Sequence, residues 1–104
     1  MSDEELMRIT KDFRDGILRG RPSVMMCAAV SWALEGFLNS IYDLNCKSVE
    51  GDLGHCNHVW IELQDGRVLD PTADQFNEMF RHDFAEVYLG PPLDIHPQSG
   101  TSPA

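Results

Sequence analysis

Three side chains of this sequence, taken in chain order, have the types needed for a thiol nucleophile. Cys27 lies in Pro22-Ser-Val-Met-Met-Cys-Ala-Ala, His58 opens His-Val-Trp-Ile-Glu-Leu, and Asp70 lies in Val68-Leu-Asp-Pro-Thr. In such a set the thiolate attacks a carbonyl carbon, the imidazole moves the proton, and the carboxylate holds the imidazole in one tautomer and orientation. A free thiol is mostly protonated at neutral pH, so the cysteine needs a lowered pKa. A helix N-terminus and a neighbouring imidazolium both supply positive charge for that purpose. If the three side chains converge, the chemistry is that of a cysteine hydrolase or acyl transferase.

The elements that must position them can be read from periodicity. Ser2 and Glu5 have capping-box spacing, and Leu6, Ile9, Phe13 and Ile17 follow at helical intervals, which predicts a first helix over about 3–18. Gly20 ends it. Ser23 is the expected N-cap of a second helix reaching about Asn39, with Cys27 one turn inside it on a stripe shared with Val30, Leu34 and Leu38. A short strand is expected at Cys46–Glu50 and a loop at Gly51–Gly54. Asn57–Leu63 then alternates, with Val59, Ile61 and Leu63 on one face and His58, Trp60 and Glu62 on the other. Thr72 and Gln75 predict a second capping box before a short helix carrying Phe76, Met79 and Phe80, and Phe84–Leu89 reads as a last strand. The fold class is therefore α+β, with N-terminal helices packed on a small antiparallel sheet in a single domain over 1–90. Residues 91–104, rich in Pro, Ser, Gly and Thr, read as a loose tail.

The hairpin around Asp65-Gly66 decides whether His58 and Asp70 can meet. A strict two-residue turn sets Ile61 opposite Asp70 and puts Asp70 on the wrong face. One bulged residue, with Gly66 left-handed, sets Trp60 opposite Asp70 and brings His58 and Asp70 diagonally together. The bulged register also aligns Leu69 with Val59, Ile61 and Leu63. Two independent requirements select it, and the bulge is expected.

Composition narrows the partners. A formal net charge of -9 on 104 residues argues against nucleic acid, whose phosphates call for clustered Lys and Arg. Arg8, Lys11, Arg14, Arg19 and Arg21 do concentrate early, but acids interleave with them, as on a solvated helix face. No apolar run is long enough to span a membrane, and the acidic, polar start does not resemble a secretory signal. Three cysteines cannot all pair with one another, which fits a reducing, cytoplasmic setting.

Cys27 at a helix start, His58-Val-Trp-Ile-Glu, and Gly66-Arg-Val-Leu-Asp-Pro-Thr together resemble a transglutaminase-like member of the papain-like cysteine hydrolases, over roughly Pro22 to Phe76. The resemblance implies a helix on an antiparallel sheet, with Cys27 as nucleophile, His58 as base and Asp70 as its orienter. It implies acyl transfer through a thioester: peptidase (thiol protease), amidase or deamidase, or transglutaminase-like acyltransferase. The substrate would be a protein, a peptide or a small amide or amine, with no metal and no organic cofactor. Relatives often place a glutamine upstream of the cysteine as an oxyanion donor, whereas residues 1–26 contain no Gln, Asn or Trp. Asn57, Trp60 and Gln75 are the candidates to replace it, and Met26 could touch a substrate beside the nucleophile. The chain is short for such a domain, so a protein partner could complete the substrate site.

Two other readings compete. Cys46, His55, Cys56 and His58 lie within thirteen residues and include zinc-type ligands, although their spacing lacks the paired halves of a zinc site. The same fold could also serve as a catalytically inactive binding or adaptor domain, which the absence of the upstream glutamine favours.

Overall fold

The computed structural model describes residues 1–54, 56–81 and 83–97. Helix α1 (Asp3–Leu18) begins where the sequence places it, with the Ser2 hydroxyl accepting the Glu5 N–H at 3.1 Å. It ends on Arg19, whose left-handed backbone (φ 52°) returns an N–H to the Asp15 carbonyl. Helix α2 (Cys27–Tyr42) starts later than expected. Ser23 does not cap it. Its hydroxyl instead donates to Asp74 at 2.8 Å, its carbonyl takes the Met26 N–H in a turn, and Met25 adopts φ 65°. Cys27 is consequently the first helical residue rather than one turn in.

Four strands form one antiparallel meander in the order β1 (Lys47–Asp52), β2 (Asn57–Glu62), β3 (Val68–Asp70) and β4 (Tyr88–Gly90). β1 runs two residues into the expected Gly51–Gly54 loop because Gly51 and Asp52 pair with His58 and Asn57. Gly51 is required there by close approach: a Cβ would lie 2.7 Å from both the Trp60 ring and Pro97. The expected last strand shrinks to its final residues, and Phe84 packs into the second apolar cluster instead.

The hairpin adopts the bulged register. Ile61 faces Leu69 and Glu62 faces Val68, so continuing the ladder sets Trp60 opposite Asp70. Gly66 has φ 90° and donates to the Leu63 carbonyl, while Leu63 N–H closes on the Arg67 carbonyl. Only glycine adopts such a φ cheaply, so the Asp-Gly pair determines which face Asp70 occupies.

The sheet is covered on both faces. On one, the apolar stripes of α1 and α2 (Leu6, Ile9, Leu34, Leu38) meet Ile61, Leu69 and Val87. On the other, a 3₁₀ turn (Ala73–Phe76) leads into α3 (Asn77–Phe80), and Ala73, Phe76 and Ile95 make a smaller cluster with Leu93 and Tyr88. The expectation of a loose tail therefore fails for residues 91–97. Leu93 and Ile95 carry apolar area to bury, and they draw the segment down onto the sheet, where it covers the face bearing His58 and Trp60. The remainder of that tail, 98–104, lies outside the described residues.

Arg14 ties the helices to the corner that follows β3. It is not on the solvated face, being only 4% exposed. Its guanidinium forks onto both Asp74 oxygens (2.9 and 3.1 Å) and also donates to the carbonyls of Pro71 (3.3 Å) and Glu86 (2.8 Å). Because Ser23 holds the same Asp74, this knot joins α1, the approach to Cys27 and the Asp70-Pro71-Thr72 corner. Arg8 and Lys11 do pair with acids at the surface, as expected of the rest of that face.

Candidate active site

Cys27 occupies the first position of α2, where backbone N–H groups have no intrahelical acceptor and the helix dipole is positive. It is 9% exposed and lines the cleft described below. Burial pushes the thiol pKa up, but the bond to His58, N–H groups of Val59 and Ala28, and the charge of the imidazolium outweigh it. The net result is a thiol below its ordinary value.

His58, on β2, is fully buried and uses its two nitrogens differently. Nε2 lies 2.6 Å from Asp70 Oδ2, and Nδ1 lies 3.3 Å from the Gln75 amide nitrogen. Burial alone would lower the imidazole pKa. The Asp70 bond, the Cys27 bond and their charges override this and raise it to about 9. Asp70 shows the complement: burial favours its neutral form, but the bonds from His58 and His96 hold the carboxyl at about 2. The two values describe one coupled pair, in which the Asp70 carboxylate draws a proton onto His58 Nε2.

His96 was missed by the reading of a loose tail. It is 1% exposed, and its Nε2 lies 2.7 Å from the same Asp70 oxygen that His58 uses. The turn that delivers it is self-contained: Leu93 N–H donates to His96 Nδ1 at 3.0 Å, and His96 N–H returns to the Leu93 carbonyl at 2.9 Å. The available signal in the sequence was the apolar pair Leu93 and Ile95, two residues apart and flanking an acid within a Pro-rich stretch.

Among the described residues, His58, Asp70 and His96 also form a group whose ligand atoms lie within 4.8 Å of one another, the separation a bound metal ion would require. Two observations make it a proton network instead. A metal-bound nitrogen needs a lone pair, with the proton on the other ring nitrogen. His96 Nδ1 already accepts a backbone N–H, so its proton must sit on Nε2 and point at Asp70. The 2.6 and 2.7 Å separations are also hydrogen-bond lengths, whereas ligands about 2.1 Å from a tetrahedral zinc stand roughly 3.4 Å apart. The zinc quartet considered from sequence is not assembled either. Cys46 sits at the far end of β1 in the helix-side core, with its thiol directed at Asn39. His55 lies outside the described residues.

A cleft of about 320 Å³ opens over Cys27, lined by Val24, Met25, Phe76, Cys56, Asn57 and Gln75. The four further site candidates fall differently around it. Gln75 stands at the cleft with its amide nitrogen between Thr72 Oγ1 (2.9 Å) and His58 Nδ1 (3.3 Å). Thr72 accordingly makes no backbone cap, and the expected capping box becomes a side-chain pair beside the imidazole. Asn57 reaches the cleft too, with its amide donating to Glu50. Trp60 does not. It is fully buried behind His58, ring centroids 5.5 Å apart, and walls the site from its core side. Met26 is half-buried at the α2 N-cap, and Met25 takes the place at the cleft, 87% exposed. The left-handed turn at Met25 exchanges the two methionines relative to a helix begun at Ser23.

Comparison of the chain with protein-family models, curated proteins and solved structures finds no match. No helix of the described residues is long and apolar enough to cross a membrane.

Proposed function

We propose that this chain is a cysteine-dependent acyl-transfer enzyme of papain-like, transglutaminase-like architecture, with Cys27 as nucleophile, His58 as acid and base, and Asp70 as orienter. What supports the reading is a cysteine at a helix N-terminus that shares a cleft with Gln75, whose amide lies 3.3 Å from a buried imidazole held at 2.6 Å on its other nitrogen by a fully buried carboxylate. Such an arrangement is costly to bury and gives a reactive thiolate in return.

The cycle follows from where the protons sit. The Cys27 thiolate adds to the acyl carbon, and the carbonyl oxygen becomes an oxyanion near the free N–H groups of the first turn of α2. Gln75 stands at the cleft, and once His58 Nδ1 is protonated the amide N–H that now faces it turns to the oxyanion. As the tetrahedral intermediate collapses, His58 Nδ1–H protonates the leaving amine or thiol, and a Cys27 thioester remains. His58, now neutral at Nδ1, takes a proton from water or an acceptor amine, which attacks the thioester and releases Cys27 as a thiolate. Nε2 keeps its proton on Asp70 throughout. No metal or organic cofactor enters the scheme.

Among the described residues no charged side chain lines the cleft, and Val24, Met25 and Phe76 give it apolar walls. These features favour an amide or thioester carrying an uncharged, apolar group next to the reacting carbonyl. The need for a free Cys27 favours a reducing, cytoplasmic setting. The test is acyl trapping. The protein is mixed with a panel of activated esters and acyl thioesters differing in acyl group, then quenched in acid and weighed intact. One acyl group on Cys27, absent in Cys27→Ala and slowed in His58→Ala, is the expected result. Acylation spread equally over Cys27 and Cys56, or unchanged by loss of His58, would favour a binding domain instead.

A further inference from the structure

We infer that His96 is a positioning residue for this site: a second histidine whose Nε2–H holds Asp70 ionised and aimed at His58. The inference rests on the cysteine-enzyme reading above and extends it to a residue outside the Cys27–His58–Asp70 set.

Among the described residues, every hydrogen bond to the Asp70 carboxylate comes from a donor. Thr72 N–H reaches Oδ1 at 3.0 Å, and His58 Nε2 and His96 Nε2 reach Oδ2 at 2.6 and 2.7 Å. A proton on Asp70 would have no acceptor to face, so the group stays anionic although it is fully buried. His96 is what closes that option. Its Nδ1 is occupied by the Leu93 N–H, so the ring can present only N–H to Asp70 and cannot receive a proton there.

Without that donor, the buried pair has a second arrangement, in which the His58 proton passes to Asp70 and both become neutral. The imidazolium that supports the Cys27 thiolate would then be lost. Among the described residues, the other groups packed around His96 supply no substitute donor to Asp70. Tyr88 stacks on its ring (centroids 5.8 Å apart, planes at 19°), but the Tyr88 hydroxyl is directed to the Pro91 carbonyl. Trp60 meets its ring edge-to-face at 5.2 Å, and Asp94, on the same segment, is exposed. Residues 91–97 thus act as a strap that completes the site by delivering one proton donor.

The experiment separates the donor from the packing. The pH profile of Cys27 alkylation by iodoacetamide is measured in wild type, His96→Gln and His96→Phe, with Cys46 and Cys56 as internal references. Glutamine can place an amide N–H near the position of Nε2, whereas phenylalanine fills the volume and donates nothing. Wild type and His96→Gln should share one acid-side midpoint. In His96→Phe the midpoint should rise by about one pH unit, roughly tenfold slower labelling below it, the scale of one charge-assisted hydrogen bond. Equal midpoints in all three folded proteins would overturn the inference while leaving the Cys27 reading intact. A wild-type Cys27 without a lowered midpoint would overturn that reading instead. Should His96→Phe not fold, the ¹H–¹⁵N spectrum of the wild-type histidine rings decides. A proton on His96 Nε2 is expected, and one on Nδ1 contradicts the proposal.

Discussion

Replacing Cys27 by alanine should change how the stability of the fold depends on pH, and the change follows from two opposed titrations. His58 has its pKa raised from 6.5 to about 9, so the stability it contributes is fully present below pH 6.5 and is lost as pH rises through about 9. Cys27 has its pKa lowered from 9.0, so its contribution is present above pH 9.0 and is lost as pH falls through the native value. With Cys27 as the thiolate of the proposed cycle, the native state carries its proton on His58 where the windows overlap, and the unfolded chain carries one on Cys27. Proton numbers match, and these two groups together leave the stability nearly flat. In Cys27→Ala only the imidazole remains, still raised by Asp70. Stability should then fall with pH at up to about 1.4 kcal/mol per pH unit, a total of about 1–3 kcal/mol between pH 6.5 and 9. The assay is urea unfolding of both proteins across that range, with unfolding free energies extrapolated to water. Every other titrating group is common to both proteins, so the difference between the two curves isolates the pair. A difference that does not vary with pH would mean that native Cys27 is a thiol, and the reasoning about the ion pair would fall.

Three further substitutions probe the parts that hold the site. Asp70→Asn removes the only carboxylate bonded to His58 among the described residues, and Cys27 alkylation at pH 6 should drop at least about tenfold; unchanged alkylation would remove Asp70 from the mechanism. Gly66→Ala meets no steric clash but forces a Cβ onto a left-handed turn, so a loss of about 1–2 kcal/mol in urea unfolding is expected. A neutral result there would mean that the hairpin does not need its bulge. Arg14→Met leaves the half-buried Asp74 with the Ser23 hydroxyl and takes the donor from two backbone carbonyls, and should cost about 2–4 kcal/mol, read as a fall in thermal midpoint. A change under about 1 kcal/mol, the scale of an exposed ion pair, would show that the knot contributes little.

What could be read from the sequence was what is decided locally. The span of α1 follows from Ser2, Glu5 and a stripe with a period of 3.6. The β2–β3 register follows from Asp65-Gly66 together with the apolar alternation on both strands. The convergence of His58 and Asp70 therefore came from a turn rule rather than from a long-range contact. Other features depend on distant partners and leave no local mark. Ser23 has the composition of an N-cap, but a bond to Asp74, fifty-one residues away, drew it elsewhere and moved the start of α2 to Cys27. Arg14 looks like its neighbours on α1 until the β3 corner folds over it. His96 sits in a stretch whose composition is that of a linker. The burial of Leu93 and Ile95 outweighed that bias, and Asp70 was already in place to accept its proton. Alternation separates the face of Trp60 and His58 from that of Val59 and Ile61, but it cannot show that residues 91–97 cover it and bury both.

The central claim, that Cys27 is a thiolate held by the His58 imidazolium, is tested most directly by competitive alkylation of the three cysteines at pH 6. Substoichiometric iodoacetamide is used, sites are read by peptide mass spectrometry, and wild type is compared with His58→Ala. Cys46 is a slow reference, because burial pushes its thiol up to about 11, and the half-buried Cys56 is the demanding one. The account predicts that Cys27 captures most of the label in wild type despite being nearly buried, and loses that advantage in His58→Ala. Labelling of Cys27 no faster than Cys56, or equal in both proteins, would contradict it.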